Sequence, residues 1–319
     1  MELCVYTDSV QNLSRRDALD VIAKAGATAV ELAVGGQSSA PHMNLSELLS
    51  NEKARDTLIG ELNERGLRIG ALNCSAWPMH PKKGDEHVEM IKGAMKLAQL
   101  LDVKKIVTMS GCPGDGPNSS TINWIFFPWP SDGVDLLNRQ WVQTLELWTE
   151  LAAFANDHGV EKIAFELHPM HLVYNTPTLL KIRQHIGPII GANVDPSHLF
   201  WQHMDPVAIV RELGEAVHHV HLKDLEFNQR QLDLAGTLDS RTFANPSERS
   251  WNFRTVGKGN GDEFWAPFFN ALDEIGYDDV LSIENEDPYD TFEQGTIDAA
   301  SYALTVLSKI PNKGVYPDI

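Results

Sequence analysis

The feature that most constrains this chain is an alternation: eight short strand-like runs, each followed by helical sequence, with no break in composition between them. The strand candidates are Leu3 to Thr7, Ala29 to Leu32, Leu67 to Asn73, Lys105 to Ser110, Lys162 to His168, Ile190 to Asp195, Val217 to Lys223 and Val280 to Glu286. Helical patterns fill the intervals. Ser14 stands as an N-cap and Gly26 as a stop for the first, and Glu47 to Arg65, closed by Gly66, forms the second. Strand–helix alternation implies parallel strands. Eight such units in 319 residues predict one closed (β/α)8 barrel, a TIM barrel, spanning 1–319 as a single domain. A doubly wound open sheet would carry a glycine-rich phosphate turn after strand one, and "YTDSVQNLS" has none. Two longer segments, Gly111 to about Asn138 and Leu225 to about Asn260, read as loops after strands 4 and 7.

Composition narrows the function classes. The formal net charge of −18 disfavours a phosphate backbone as partner and leaves carboxylates free to hold a hard cation. No apolar run is long enough for a membrane span, and "MELCVYTDSV" lacks the basic and apolar regions of a secretory signal. Three widely spaced cysteines, Cys4, Cys74 and Cys112, show no zinc-finger spacing and fit a reducing compartment, so a cytoplasmic location is expected. A homo-oligomer or a small partner subunit would both fit this chain.

In a barrel of this kind the active site lies at the C-terminal ends of the strands. Four successive ends carry potential ligands. Strand five ends "AFELHP", with Glu166 and His168. Strand six runs into "NVDPSHLFW", with Asp195 and His198. Strand seven is "VHHVHLKD", with His219, His221, Lys223 and Asp224. Strand eight ends "SIENEDP", with Glu284, Glu286 and Asp287. Any one of them alone reads as a turn residue or a helix cap. Together they converge on one mouth and make a mixed oxygen and nitrogen site. That chemistry suits one divalent cation: Mn2+ first, with Mg2+, Co2+, Fe2+ or Zn2+ also compatible.

The alternation within "VHHVHLKD" sends His219, His221 and Lys223 to one face and His218, Val220 and Leu222 to the other. His221 is the expected ligand. Lys223 reads either as a contact to a substrate oxygen or as a surface lysine at a loop start. His219, one pleat deeper, reads as a hydrogen-bonded core histidine. His168 reads either as a second base or as an imidazole that orients Glu166. The aromatic stretch "NSSTINWIFFPWPSDG" (118–133) suits the apolar face of a sugar or a flat aglycone, or else packs on the barrel or a neighbouring subunit. Trp77 in "NCSAWP" is a similar case and is expected to contact substrate.

These residues resemble the xylose isomerase-like superfamily, which includes the sugar phosphate isomerase/epimerase family and the ketose 3-epimerases. The match runs over nearly the whole chain and is sharpest from Lys162 to Pro288. The resemblance implies a metal held by Glu166, Asp195, His221 and Glu284. It implies substrate contacts from His198 and, in the loop after strand seven, Arg254. It also implies proton abstraction next to a sugar carbonyl through an enediolate. Glu166 and Glu284 would be the acid/base pair, with His168 a further candidate. A sugar isomerase or epimerase is the first expectation. His168 and the long aromatic loop depart from the ketose 3-epimerases. With "ELHPMHLVYN", "DPSHLFWQ" and "ERSWNFRTVG" they are similar to the subgroup acting on oxidised sugars, the large subunits of C-glycoside deglycosidases among them. That likeness implies a lyase cleaving 3-oxo-glycosides by β-elimination as the alternative. A metal-dependent endonuclease, which shares the barrel, is disfavoured by the net charge.

Overall fold

The computed structural model describes residues 1–310; the last nine residues of the expected domain, 311–319, lie outside the described residues. Among the described residues ten strands occur in chain order: β1 Glu2–Tyr6, β2 Ala29–Gly36, β3 Arg68–Ser75, β4 Lys105–Thr108, β5 Lys162–Glu166, β6 Ile190–Val194, β7 Val217–Leu222, β8 Asp224–Phe227, β9 Trp251–Arg254 and β10 Val280–Ile283. Eight of them close a parallel barrel in the order β1-β10-β7-β6-β5-β4-β3-β2, with helices between them. The expected barrel is therefore the observed one. Its strands are buried on both faces, as parallel strands under helices must be, which is why they read as near-continuous apolar runs. Among the described residues no helix is long and apolar enough to cross a membrane.

Local chemistry sets the helix ends. The Ser14 side chain accepts from the Asp17 N–H and starts the helix Arg15–Lys24. Asn175 and Thr178 form a reciprocal cap on Thr176–Ile186, where a proline also occupies the first turn. The run expected as one helix from Glu47 to Arg65 is two, Leu45–Ser50 and Glu52–Asn63. Asn51 adopts an extended backbone between them, and its side chain accepts from the Ala54 N–H. Asparagine offers the backbone a competing partner, so it ends one helix and caps the next.

Both long loops hold structure that apolar periodicity did not disclose. The helix after β4 begins at Ser131, so the loop ends at Pro130 rather than near Asn138. The segment after β7 contains an antiparallel pair, β8 with β9, and a short helix, Gln229–Ala235. Asp224 ties this loop down. Its carboxylate accepts from the N–H groups of Gly257 (3.0 Å), Gly259 (3.2 Å) and Asn260 (2.9 Å). A side chain on Gly259 would collide with the Leu225 carbonyl 2.4 Å away, which explains a glycine in this wrap.

Candidate metal centre and active-site cavity

Glu166 is the last residue of β5. Asp195 directly follows β6, His221 lies on β7, and Glu284 directly follows β10. These strands are consecutive neighbours in the barrel. β10, the last barrel strand, ends at Ile283 rather than Glu286, so Glu284 sits on the rim, still bonded through its N–H to the Leu222 carbonyl at 3.2 Å. One ligand atom from each of Glu166, Asp195, His221 and Glu284 falls within 4.8 Å of the others.

The donor set fits a divalent cation on its own chemistry. Three carboxylates crowd one largely buried spot. Burial, with Glu284 and Glu166 nearby, pushes Asp195 up to about 8 despite Lys223. Burial and the Glu284 charge raise Glu166 as well. Glu284 goes the other way: Lys223 and His221 outweigh burial and hold it well below the carboxylate range. One Asp195 oxygen accepts from the Ser197 N–H (2.8 Å) and hydroxyl (2.7 Å); the other, Oδ2, is buried without a hydrogen bond. Buried carboxylates with an orphaned oxygen are what a hard cation relieves.

The group that aims the histidine is not among the expected site residues. Glu31, on β2 and fully buried, accepts from His221 Nε2 at 3.1 Å, His219 Nε2 at 2.8 Å, Asn73 at 2.6 Å and the Ser282 hydroxyl at 2.5 Å. Burial alone would raise this carboxyl, but His221 and His219 hold it well below its ordinary range. With Nε2 committed to Glu31, Nδ1 of His221 faces the cluster, 3.1 Å from Glu284. A carboxylate behind a ligating imidazole fixes its tautomer and its orientation. His219 is thus the expected core histidine, and burial lowers it to about 4.

Lys223 is 3% exposed, which removes the surface reading. Its ammonium lies 3.2 Å from Glu284, closer still to Glu286, and 4.3 Å above the Phe253 ring. Burial would lower it, but Glu284 and Glu286 keep it well above the usual lysine value, so it is a fixed cation. His198 Nε2 approaches Glu166 at 3.0 Å and Asp195 at 3.5 Å, and the His168 ring lies 4.2 Å from the His198 ring. Burial, then the His198 charge, lowers His168 to about 4. Burial and Lys223 take His198 well below its ordinary value.

Above these groups opens a cavity of about 1330 Å³, lined by Glu166, His168, His198, Lys223 and Glu284 at its floor. Two expected substrate contacts stand elsewhere. Arg254 pairs with Asp287 (3.1 Å) and Glu226 and does not line the cavity; it braces the loop that β9 belongs to. Arg241 and Arg249, in the same loop, do line it. Trp77 packs on His171, ring centroids 4.3 Å apart, and is likewise outside the lining. The aromatic stretch divides. Trp124 and Phe126 line the cavity, Phe127 and Trp129 face solvent, and Trp141, just beyond, is buried under Lys181.

The family model described as xylose isomerase-like TIM barrel matches residues 19–307. The chain belongs to that family. It is 40% identical over 291 residues to the uncharacterized protein YfiH of Bacillus subtilis (strain 168), covering 90% of this chain and 93% of that protein. It is 26% identical over 156 residues to an inosose dehydratase of Clostridium tetani, covering 45% and 48%. Among solved structures, the IOLI protein, crystallised with a zinc atom, superposes with a TM-score of 0.65 at 21% identity, covering 96% of each chain. An L-ribulose 3-epimerase gives 0.62 at 15%, covering 96% and 93%. At those identities the two structures speak to the xylose isomerase-like fold alone.

Proposed function

We propose that this chain is a divalent-metal-dependent enzyme that abstracts a proton next to a carbonyl of a sugar or oxo-sugar and acts as a sugar isomerase or epimerase. The observation that carries this reading is the convergence of Glu166, Asp195, His221 and Glu284 within 4.8 Å, two of which, Glu166 and Glu284, line the cavity. Those four would hold the cation, with Mn2+ favoured. A bound cation supplies Lewis-acid stabilisation of negative charge developing on the substrate oxygens, worth roughly several kcal/mol.

The chain's own groups do the rest. Lys223 presents a permanent ammonium to a substrate oxygen. His198, buried beside it with both ring nitrogens lacking hydrogen bonds, offers a second polar contact. Glu166 and Glu284 are the two carboxylates of the cluster that also line the cavity, within reach of a bound substrate's C–H. Glu284 takes the carbon-bound proton and Glu166 returns one. Return to the opposite face of the same carbon epimerises; return to the neighbouring carbon isomerises.

A second reading rests on His168 and His198, both neutral near pH 7 and adjoining Glu166. Imidazoles there would accept a hydroxyl proton or pass one to a leaving group β to the carbanion. The reaction would then be a β-elimination, as in a 3-oxo-glycoside lyase of the C-glycoside deglycosidase type. The likeness to an inosose dehydratase supports this second reading.

Proton NMR in D2O tests both. The enzyme is loaded with Mn2+, incubated with ketohexoses or a 3-oxo-glycoside, and the metal is chelated before recording. Deuterium in a sugar C–H with the sugar intact or epimerised supports the first reading. Release of the aglycone supports the second. If neither occurs with any of these substrates while the metal is bound, both readings fail for these substrate classes.

A further inference from the structure

Two imidazoles stand beside the tetrad and outside it. His168 and His198 form with Glu166 a second group whose ligand atoms lie within 4.8 Å of one another, and Glu166 is the member it shares with the first. The chain places them by short spacings. Glu166 ends β5, and the His168 N–H bonds back to the Glu166 carbonyl at 2.8 Å, so a tight turn keeps the two residues together. His198 lies in the short helix Pro196–Phe200, which the Asp195 side chain caps; three residues apart, Asp195 and His198 are neighbours on one helical turn. The His198 and His168 rings meet with centroids 4.2 Å apart.

The ring nitrogens have the hydrogen bonding of ligands. His168 Nδ1 lies 2.6 Å from the Pro169 carbonyl. A carbonyl only accepts, so Nδ1 carries the proton and Nε2 keeps a lone pair. An imidazole that donates its other N–H to a backbone carbonyl is the usual form of a metal-bound histidine. His198, 3% exposed, has no hydrogen bond at either nitrogen, although its Nε2 stands 3.0 Å from Glu166 Oε1 and 3.5 Å from the orphaned Asp195 Oδ2. A buried imidazole with neither nitrogen paired is costly, and a cation on one of them removes the cost. Charge points the same way. Glu166, Asp195, Glu284 and Glu286 gather here against the buried ammonium of Lys223, which Glu284 and Glu286 already hold. One divalent ion leaves that group negative.

We propose that Glu166, His168 and His198 hold a second divalent cation next to the first, with Glu166 bridging the two. This set of two nitrogens and one carboxylate differs from the carboxylate-rich tetrad and suits a borderline ion, Zn2+ before Mn2+. Three protein ligands leave a coordination position open, as in catalytic rather than structural zinc sites. Glu166, His168 and His198 all line the cavity, so that position is within reach of a substrate oxygen. The bridging by Glu166 rests on the functional reading above, which puts the first cation on the tetrad; the pairing of Glu166 with the two histidines does not.

Zinc stoichiometry tests this. The full-length protein is stripped with chelator and titrated with Zn2+ in a calorimeter, and the retained metal is counted by mass spectrometry. The variants are His168→Gln, His198→Gln and Asp195→Asn, each checked for folding by circular dichroism. Two zinc ions on the parent chain, falling to one in each histidine variant while Mn2+ affinity stays unchanged, support the second site. One zinc ion that survives both histidine substitutions and is weakened in Asp195→Asn overturns it and leaves the tetrad. Two zinc ions that survive both histidine substitutions overturn it as well, since the second is then held by other histidines. One zinc ion lost in both histidine variants and unaffected in Asp195→Asn removes the tetrad, and with it the bridge, while the imidazole site stands. No bound metal on the folded parent chain overturns both.

Discussion

Glu31 and His221 form the hinge of the candidate centre: the carboxylate on β2 accepts from Nε2 of the imidazole on β7 at 3.1 Å, across the barrel interior. This contact turns Nδ1 toward Glu166, Asp195 and Glu284. Glu31→Gln keeps the shape and removes the charge that fixes the tautomer. Loss of such a partner typically weakens metal binding by about 10–100-fold. A chelator-competition titration with Mn2+ should show that loss with little change in circular dichroism. Affinity within a factor of two of the parent chain would show that Glu31 serves only to satisfy a buried histidine pair.

The acid/base assignment predicts a different pattern for Glu166→Gln and Glu284→Gln. Each removes a proton-carrying group whose help is worth roughly 10²–10⁴-fold. Solvent deuterium incorporation into substrate should fall by at least 100-fold in each variant, measured with cation in excess so that weakened metal binding is not the cause. Substrate KM should move far less than kcat. A variant that recovers full exchange at high cation would be a ligand only.

Much of this was legible in the chain. The strand ends announce themselves because each ligand interrupts an apolar run at the point where the strand meets its loop, and parallel topology gathers those ends at one mouth. Glu31 escaped because it sits within "AVELAV" on a strand whose C-terminal end carries no ligand. Its signal was a lone carboxylate inside an apolar strand, a costly placement unless it is paired. That Arg254 lies outside the cavity lining has another origin. Which arginine of a long loop reaches a cavity depends on the β8–β9 pairing, and the aspartate that anchors the loop, Asp224, lies some thirty residues upstream of it. Sequence spacing cannot show that register.

At the opposite end of the barrel, Lys105 and Asp279 give a pH prediction. The ammonium, 4% exposed, lies 2.8 Å from the carboxylate. Asp279 falls to about 2: burial would raise it, but the Lys105 charge and hydrogen bond outweigh burial. Lys105 is itself pulled down by burial, which Asp279 offsets only in part, so the pair is worth less than the aspartate's shift alone. A carboxyl lowered on folding stabilises above its unfolded value and loses that contribution as pH falls through about 2. The contribution is on the order of 1–2 kcal/mol. Lys105→Met leaves Asp279 without its nearest cation and should lower stability at pH 7 by about that amount. It should flatten the decline between about pH 4 and 2. Parallel urea titrations at pH 7, 4, 3 and 2 measure both effects, and an unchanged acid slope would refute the assignment.

Cation removal should be felt by the fold as well as by the chemistry. Without a cation, Glu166, Asp195 and Glu284 share a buried site in which Asp195 Oδ2 has no hydrogen bond. A cation that binds only the folded chain stabilises it by mass action, about 2.7 kcal/mol at a concentration one hundred times Kd. The thermal midpoint should therefore fall on treatment with chelator and climb again as Mn2+ or Zn2+ is restored, continuing to rise with the logarithm of free cation. In Asp195→Asn, which removes one ligand charge, the dependence should move to higher concentrations. A midpoint indifferent to chelator and cation alike would remove the four residues from consideration as a metal site.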